Sequence, residues 1–334
     1  MIVPQPILII GTQRSGSNLL RIMLNQLDEI EAPHPPHILH TFYPLISNYG
    51  DINAESNFRM LIDDVVRFTE ANPVRWHGMN FNSETVFERC KRRSLVEIFR
   101  VLYELKSENK QAAYWCCKSM ANLYYVPQIE QENIKPFYIY LVRDGRDAAA
   151  SFKNAIVGEK HIYFIAQQWK QDQELARDIV SQYSNRSAVL YFEEFIDDPE
   201  KALTPVLKQL GLNWRPEILE FYKSDEAIRT ASAGNMWKNV IRPVDSNNKK
   251  HYSEKLSRGE IEIFESVAGK VLTQSGYELN GELNTRIFSE TEIAAFQFEN
   301  NASKILIRDA NPHDVEIRKP QEEVISAIKE RFNL

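Results

Sequence analysis

Residues Ile7-Leu8-Ile9-Ile10 form an unbroken apolar run that stops at Gly11, passes through Thr12-Gln13-Arg14-Ser15, and turns apolar again after Gly16-Ser17-Asn18. Four consecutive large aliphatic residues describe a strand buried on both faces. Apolar residues then fall at 19, 20, 23, 24 and 27, the stripe of a packed helix. A strand that feeds a helix through a Gly/Ser loop implies a βαβ unit with a right-handed crossover. Such a loop is also an anion cradle, because its N–H groups and the unpaired N–H groups and positive dipole end of the helix converge.

Gly11 and Gly16 have the spacing of a Walker A loop, but Ser17 stands where its lysine belongs and Asn18 follows it. The only cation is Arg14, inside the loop. The loop is therefore expected to bind an anion without metal–triphosphate apparatus.

With 334 residues and 43% hydrophobic content, the chain can bury a large core. A net charge of −6 argues against a general nucleic-acid binder, which needs a basic face. Cys90, Cys116 and Cys117 form no disulfide framework or zinc pattern and read as small buried hydrophobes. The first residues do not resemble a signal peptide, and no run reaches membrane-span length, so a cytoplasmic location is expected.

Further buried strands are expected at 114–117, 136–142 and 188–192, each stopping at a polar residue: Lys118, Arg143 and Glu193. Helical patterns occupy 58–71, 94–108, 144–156, 162–182, 200–210 and 259–275. The order is α/β, a P-loop-like parallel sheet flanked by helices, whose carboxyl strand ends line a crevice. Residues 30–58, rich in Pro, His and aromatics, read as a loop and short helix over that crevice. Residues 1–283 are expected to form one main domain. Residues 284–334 form a C-terminal appendage packed on it, with a final amphipathic helix near 319–332.

The second informative segment is Arg143-Asp144-Gly145-Arg146-Asp147-Ala148-Ala149-Ala150-Ser151. With a helix opening at 144 or 145, Ser151 lies two turns, on the order of 11 Å, beyond the strand end. Arg143 and Ser151 then meet only through a ligand, and a phosphate suits both donors. An ordinary ion pair of Arg143 with Asp144 or Asp147 is the alternative.

The Arg-Ser-Gly-Ser loop and the later Arg/Ser pair, in this order, resemble the sulfotransferases that use 3′-phosphoadenosine 5′-phosphosulfate (PAPS). The resemblance runs from about Ile7 to Tyr277. It implies that Gln13, Arg14, Ser15, Gly16, Ser17 and Asn18 hold the 5′-phosphosulfate, with Arg14 bridging phosphate and sulfuryl group. It implies that Arg143 and Ser151 hold the 3′-phosphate. Tyr191-Phe192-Glu193-Glu194-Phe195 is similar to the family's Arg-Tyr-Glu-Asp-Leu segment, with Phe192 offering a ring but no hydroxyl. Trp237-Lys238 resembles the late loop that closes over the nucleotide, and Lys238 is its candidate cation. No metal is implied.

A hydroxyl acceptor needs a general base. Where cytosolic relatives have Lys-Thr-His this chain has Lys118-Ser119-Met120, and methionine takes no proton. Other branches place a Glu about twenty residues past the loop cation. Here that region reads Glu31-Ala32-Pro33-His34-Pro35-Pro36-His37-Ile38-Leu39-His40. His34 or His37 is the candidate base, followed by Glu31 and then His40, with Lys118 as a cation facing the reacting oxygens. The resemblance implies sulfuryl transfer from PAPS to a hydroxyl of a small acceptor, and the aromatic content of the covering segment leans toward a sterol, lipid or phenol. The alternatives are a small-molecule P-loop kinase and a non-catalytic nucleotide-binding protein of the same fold. Oligomeric state is not readable.

Overall fold

A computed structural model describes residues 3–283 and 285–334. Five parallel strands, β1 (Gln5–Gly11), β2 (Ile30–Glu31), β3 (Tyr114–Cys117), β4 (Phe137–Val142) and β5 (Ser187–Tyr191), form one sheet in the order β2-β3-β1-β4-β5. Leu8 of β1 sits in register with Cys117 on one side and Tyr138 on the other.

The strands alternate between two cores. Leu8, Ile10, Trp115, Cys117, Tyr138 and Tyr140 face one cluster, together with the helices Glu55–Glu70 and Leu95–Lys110. Ile7, Ile9, Cys116, Ile139 and Leu141 face the other, against Ser17–Leu24 and Pro199–Gln209. Burial on both sides explains why these strands read as continuous apolar runs. Cys116 and Cys117 are buried as expected, whereas Cys90 is partly exposed.

The first helix, Ser17–Leu24, stops short of Leu27, because the chain turns at 25–29 to supply β2. That two-residue strand lies inside the stretch expected to be loop. The helix Gly145–Lys153 is capped by Asp144, whose side chain accepts from Arg146 N–H. It packs with Ile162–Gln182 and Arg258–Gln274 in a third cluster around Trp169 and Phe264.

The tail beyond 284 holds two long helices, Glu290–Asp309 and Lys319–Phe332. The first buries a single residue, Asn300, whose Oδ1 accepts from the N–H groups of Lys160 (2.7 Å) and His161 (2.9 Å). The second inserts Ile328 into the core and pairs Arg331 with the buried Asp64. Between them, Asp314 accepts from Asn235 N–H at 2.9 Å. Among the described residues no helix is long and apolar enough to cross a membrane.

In sheets of this kind ligands bind outside the carboxyl strand ends, where the chain order reverses. Here β2 and β3 lie on one side of β1, and β4 and β5 on the other. The residues that follow β1, β3 and β4 therefore share one crevice.

Candidate active site

Gly11 ends β1 with φ 123°, and a Cβ there would stand 2.5 Å from the Leu141 carbonyl oxygen. Gly16 has φ 87° and lies under the Phe192 ring, which a Cβ would meet at 2.3 Å. Both turns therefore need glycine. Within the loop, Thr12 Oγ1 accepts from Gln173 Nε2 at 2.8 Å, fixing it from below. Arg14 takes the left-handed conformation (φ 68°), uncommon for a residue with a side chain and frequent at functional sites. Ser15 Oγ is buried with no partner among the described residues, and Ser17 is buried at the helix start. An orphaned hydroxyl beside a helix N-terminus is what an absent anion would satisfy.

Arg14 Nε donates to Ser151 Oγ at 3.0 Å. Arg143 Nη1 donates to the Arg14 carbonyl at 2.9 Å and Nη2 to the Asn248 carbonyl at 3.3 Å, while its Nε is buried and unpaired among the described residues. The Arg143 guanidinium lies 4.3 Å from the Phe192 ring centroid. Asp144 is spent on Arg146, and Asp147 accepts from the N–H groups of Lys250 and Tyr252. The alternative, a helix-start ion pair, does not form: among the described residues Arg143 has no carboxylate within salt-bridge distance. Burial, and then the nearby Arg143, lowers Arg14 to about 10. Burial also lowers Arg143.

The other half of the crevice is built from β2 and β3. Lys118 follows β3 and is buried; burial, then Arg21 and Arg14, lowers its ammonium to about 7. Its neighbour Ser119 places Oγ 2.8 Å from His37 Nδ1. His37 has φ 65°, is partly exposed, and heads the short helix Ile38–Phe42. Burial, then Lys118, pushes its imidazole down to about 3.

His34 is 3% exposed and, among the described residues, neither ring nitrogen has a partner. Its carbonyl accepts from Asn72 Nδ2 and Trp76 Nε1. Its ring meets Trp237 edge-on at 4.6 Å. Burial, then Lys118 and Arg21, holds it well below the ordinary histidine range. Of the other base candidates, Glu31 is occupied by Lys106 at 3.2 Å and His40 is exposed.

The fold thus brings Arg14, Ser15, Gly16, Ser17, Arg143, Ser151 and Phe192 to one side, and Lys118, His34, His37 and Trp237 to the other. Gln13 in the loop and Asn18 in the first turn of the helix are half-buried, and Asn18 Oδ1 accepts from Arg21. Lys238 is exposed and touches neither half; Asn248 is the late-loop residue against Arg143.

Two contributors were not singled out from the sequence. Arg21, fully buried, binds the Ala32 carbonyl (2.7 Å), Glu226 (2.6 Å), Thr230 (2.9 Å) and Asn18 (3.2 Å), tying the loop helix to β2. A cation among Leu20, Ile22, Met23 and Leu24 is the signal that marks it. Arg318 lies 5.2 Å over Trp237, and no local pattern points to it.

The fold and the site define an α/β protein in which the loop after β1 and the buried Arg143 meet at the carboxyl end of a parallel sheet. Residues 6–216 match the model of the sulfotransferase family, and the chain belongs to that family. It is similar in structure to the sulfotransferase domain from the curacin biosynthetic pathway, at 19% identity and TM-score 0.55, over 84% of this chain and 100% of that one. It is also similar to the sulfotransferase domain from the Synechococcus PCC 7002 olefin synthase, at 18% identity and TM-score 0.53, over 84% and 97%. No curated protein matches the chain.

Proposed function

We propose that the protein transfers a sulfuryl group from PAPS to a hydroxyl of a small, partly apolar acceptor such as a sterol, lipid or phenol. One observation carries this reading: Arg14 and Arg143 are held side by side at the ends of β1 and β4, without a carboxylate partner among the described residues. Two such cations call for a ligand with two separated anionic groups.

The orphaned Ser15 Oγ and Arg143 Nε fit such a ligand. Arg14, Ser15, Gly16, Ser17 and Asn18 would hold its 5′ end and Arg143 and Ser151 its 3′-phosphate, with Phe192 as a ring beside the nucleotide. PAPS supplies an activated sulfuryl group. Arg14, the loop N–H groups and Lys118 stabilise the negative charge that builds on the leaving phosphate.

The acceptor proton goes to His37, whose Nε2 remains free while Ser119 anchors Nδ1. His37 is a weak base in the unliganded protein because burial, and then Lys118, disfavour its charged form. Anionic donor beside Lys118 offsets that cation and raises the basicity of His37. Both structural neighbours are named for biosynthetic systems, a curacin pathway and an olefin synthase, which accords with a small organic acceptor.

Calorimetry with 3′-phosphoadenosine 5′-phosphate and with magnesium ATP tests the donor. Tight binding of the first is expected; tight ATP binding with none of the bisphosphate would refute the reading and favour a kinase. Labelled PAPS with a panel of hydroxylated compounds tests transfer, and donor binding without product would leave a nucleotide-binding protein.

A further inference from the structure

The helix Glu290–Asp309 lies outside the family match and is held to the rest of the chain through one face. Phe296 stacks on His161 with ring centroids 4.2 Å apart, Asn300 takes the Lys160 and His161 N–H groups, and Lys304 pairs with Glu159 at 2.7 Å. Phe296, Asn300 and Lys304 are each four residues apart and so share that face. The opposite face is turned to solvent, and it is apolar. Ala294, Ala295, Phe298, Ala302, Ile305 and Leu306 recur along it at helical spacing, and all six are exposed. Phe298, Ile305 and Leu306 are 76%, 62% and 67% exposed. A helix of 20 residues is about 30 Å long, and an apolar stripe along it marks an interaction surface.

The order of side chains along the stripe identifies what covers it. The small residues Ala294 and Ala295 lie toward the N-terminus and the large residues Ile305 and Leu306 toward the C-terminus, with Phe298 and Ala302 on either side of Asn300. An identical helix laid antiparallel sets Phe298 against Ala302, Ile305 against Ala295 and Leu306 against Ala294, so that each large side chain faces a small one. A parallel copy would set like against like. One flank repeats the pattern in polar groups: Glu290, Gln297, Asn301 and Arg308 form a single row, and the antiparallel register brings Glu290 to Arg308 and Gln297 to Asn301. Arg308 reaches Glu322 at 3.5 Å and stays half-exposed. On the other flank Glu292 and Glu299 are turned to Arg286 and His161 of their own chain. A membrane surface is the poorer match, because helices that lie on membranes carry Lys and Arg beside the apolar face, and this one carries Glu290, Glu292, Glu299 and Asp309 against Lys304 and Arg308.

We propose that the protein forms a homodimer by antiparallel pairing of the helix Glu290–Asp309 with the same helix of a second copy, about a twofold axis level with Asn300. Each contact then occurs twice, as a twofold interface requires. The proposal is independent of the sulfuryl-transfer reading, since none of its residues belongs to the crevice.

The test is sedimentation equilibrium of the full chain from about 1 to about 500 μM, a range suited to a small interface. The mean mass is expected to rise toward twice that of one chain. Phe298→Glu should weaken association about tenfold or more, the scale of a central contact, while its thermal melt at about 1 μM matches that of the unmodified protein because the side chain is exposed. Glu290→Arg should weaken association about three- to tenfold, since two ion pairs become two repulsions, and Glu290→Arg with Arg308→Glu should restore it. A mean mass of one chain across the whole range overturns the proposal, and cosedimentation of that monomer with phosphatidylglycerol vesicles would assign the stripe to a membrane. Association that Phe298→Glu leaves unchanged overturns it too. A double variant that associates no better than Glu290→Arg alone overturns the antiparallel register.

Discussion

Arg14 Nε bonds directly to Ser151 Oγ, joining the loop after β1 to the second turn of the helix after β4. The loop cation is thereby oriented by a residue expected to serve the other phosphate. Arg14→Ala should lower turnover about 100- to 1000-fold, the scale set by losing one preorganised donor to developing charge. Folding should be little affected, because Arg14 is partly exposed and has no carboxylate partner among the described residues. Steady-state kinetics beside a thermal melt checks both halves. Ser151→Ala should weaken 3′-phosphoadenosine 5′-phosphate binding about tenfold, the loss of one hydrogen bond to a charged group.

Lys118 is a buried ammonium lowered to about 7 by burial and by two arginines. The unfolded chain keeps this lysine protonated to about 10.4. Between these values the unfolded state binds the extra proton, so stability rises with pH from about 7 upward. Lys118→Met should flatten that rise and increase the melting temperature at pH 6, where the buried charge is present in full. The same variant should lose most of its turnover. Binding of the bisphosphate should weaken by up to about tenfold per pH unit above pH 7 in the unmodified protein, as proton uptake by Lys118 becomes coupled to anion binding. Calorimetry at pH 6, 7 and 8 measures this; equal pH dependence in Lys118→Met would remove Lys118 from the site.

The limits of the sequence reading have local causes. β1, β3, β4 and β5 were legible because each is an apolar run buried on both faces. β2 was not, since two residues, Ile30 and Glu31, are too few to show a pattern. The helix Glu290–Asp309 reads as mixed because it buries only Asn300 and leaves Phe298, Ile305 and Leu306 exposed. In the site, the loop and Arg143 announce themselves by local spacing. The meeting of Trp237 and Arg318 with His34 joins segments about 200 and 80 residues apart in the chain, and no periodicity encodes such contacts.

His37 and His34 differ in what surrounds their nitrogens, and that difference predicts their roles. His37 is anchored by Ser119 and partly exposed; His34 is sealed beneath Trp237. Asn tolerates the left-handed conformation His37 adopts, so His37→Asn removes the base with little backbone cost. It should reduce kcat about 100- to 10,000-fold. With PAPS as the varied substrate, the pH profile of kcat/KM should show no histidine step between pH 5 and 8, because burial, then Lys118, lowers His37 in the unliganded protein to about 3. A full loss in His34→Asn with an active His37→Asn would exchange the two assignments.

Arg21 is the buried tie between the loop helix and the helix Asp225–Ser232, through Glu226 and Thr230. Its guanidinium is wholly inaccessible, so a shortened side chain leaves Glu226 Oε1 and the Ala32 carbonyl without their donor, while Glu226 Oε2 keeps Arg229. Breaking one partner of such a buried pair costs about 3–5 kcal/mol. Arg21→Ala should therefore unfold at markedly lower denaturant concentration. Arg21→Met with Glu226→Leu, which removes both charges, should recover much of that stability. The double variant should still bind nucleotide weakly, because Arg21 also accepts the task of holding Asn18 in the loop. Urea melts of the three proteins decide the energetic claim, and recovery of full nucleotide affinity in the double variant would show that the loop keeps its shape without Arg21.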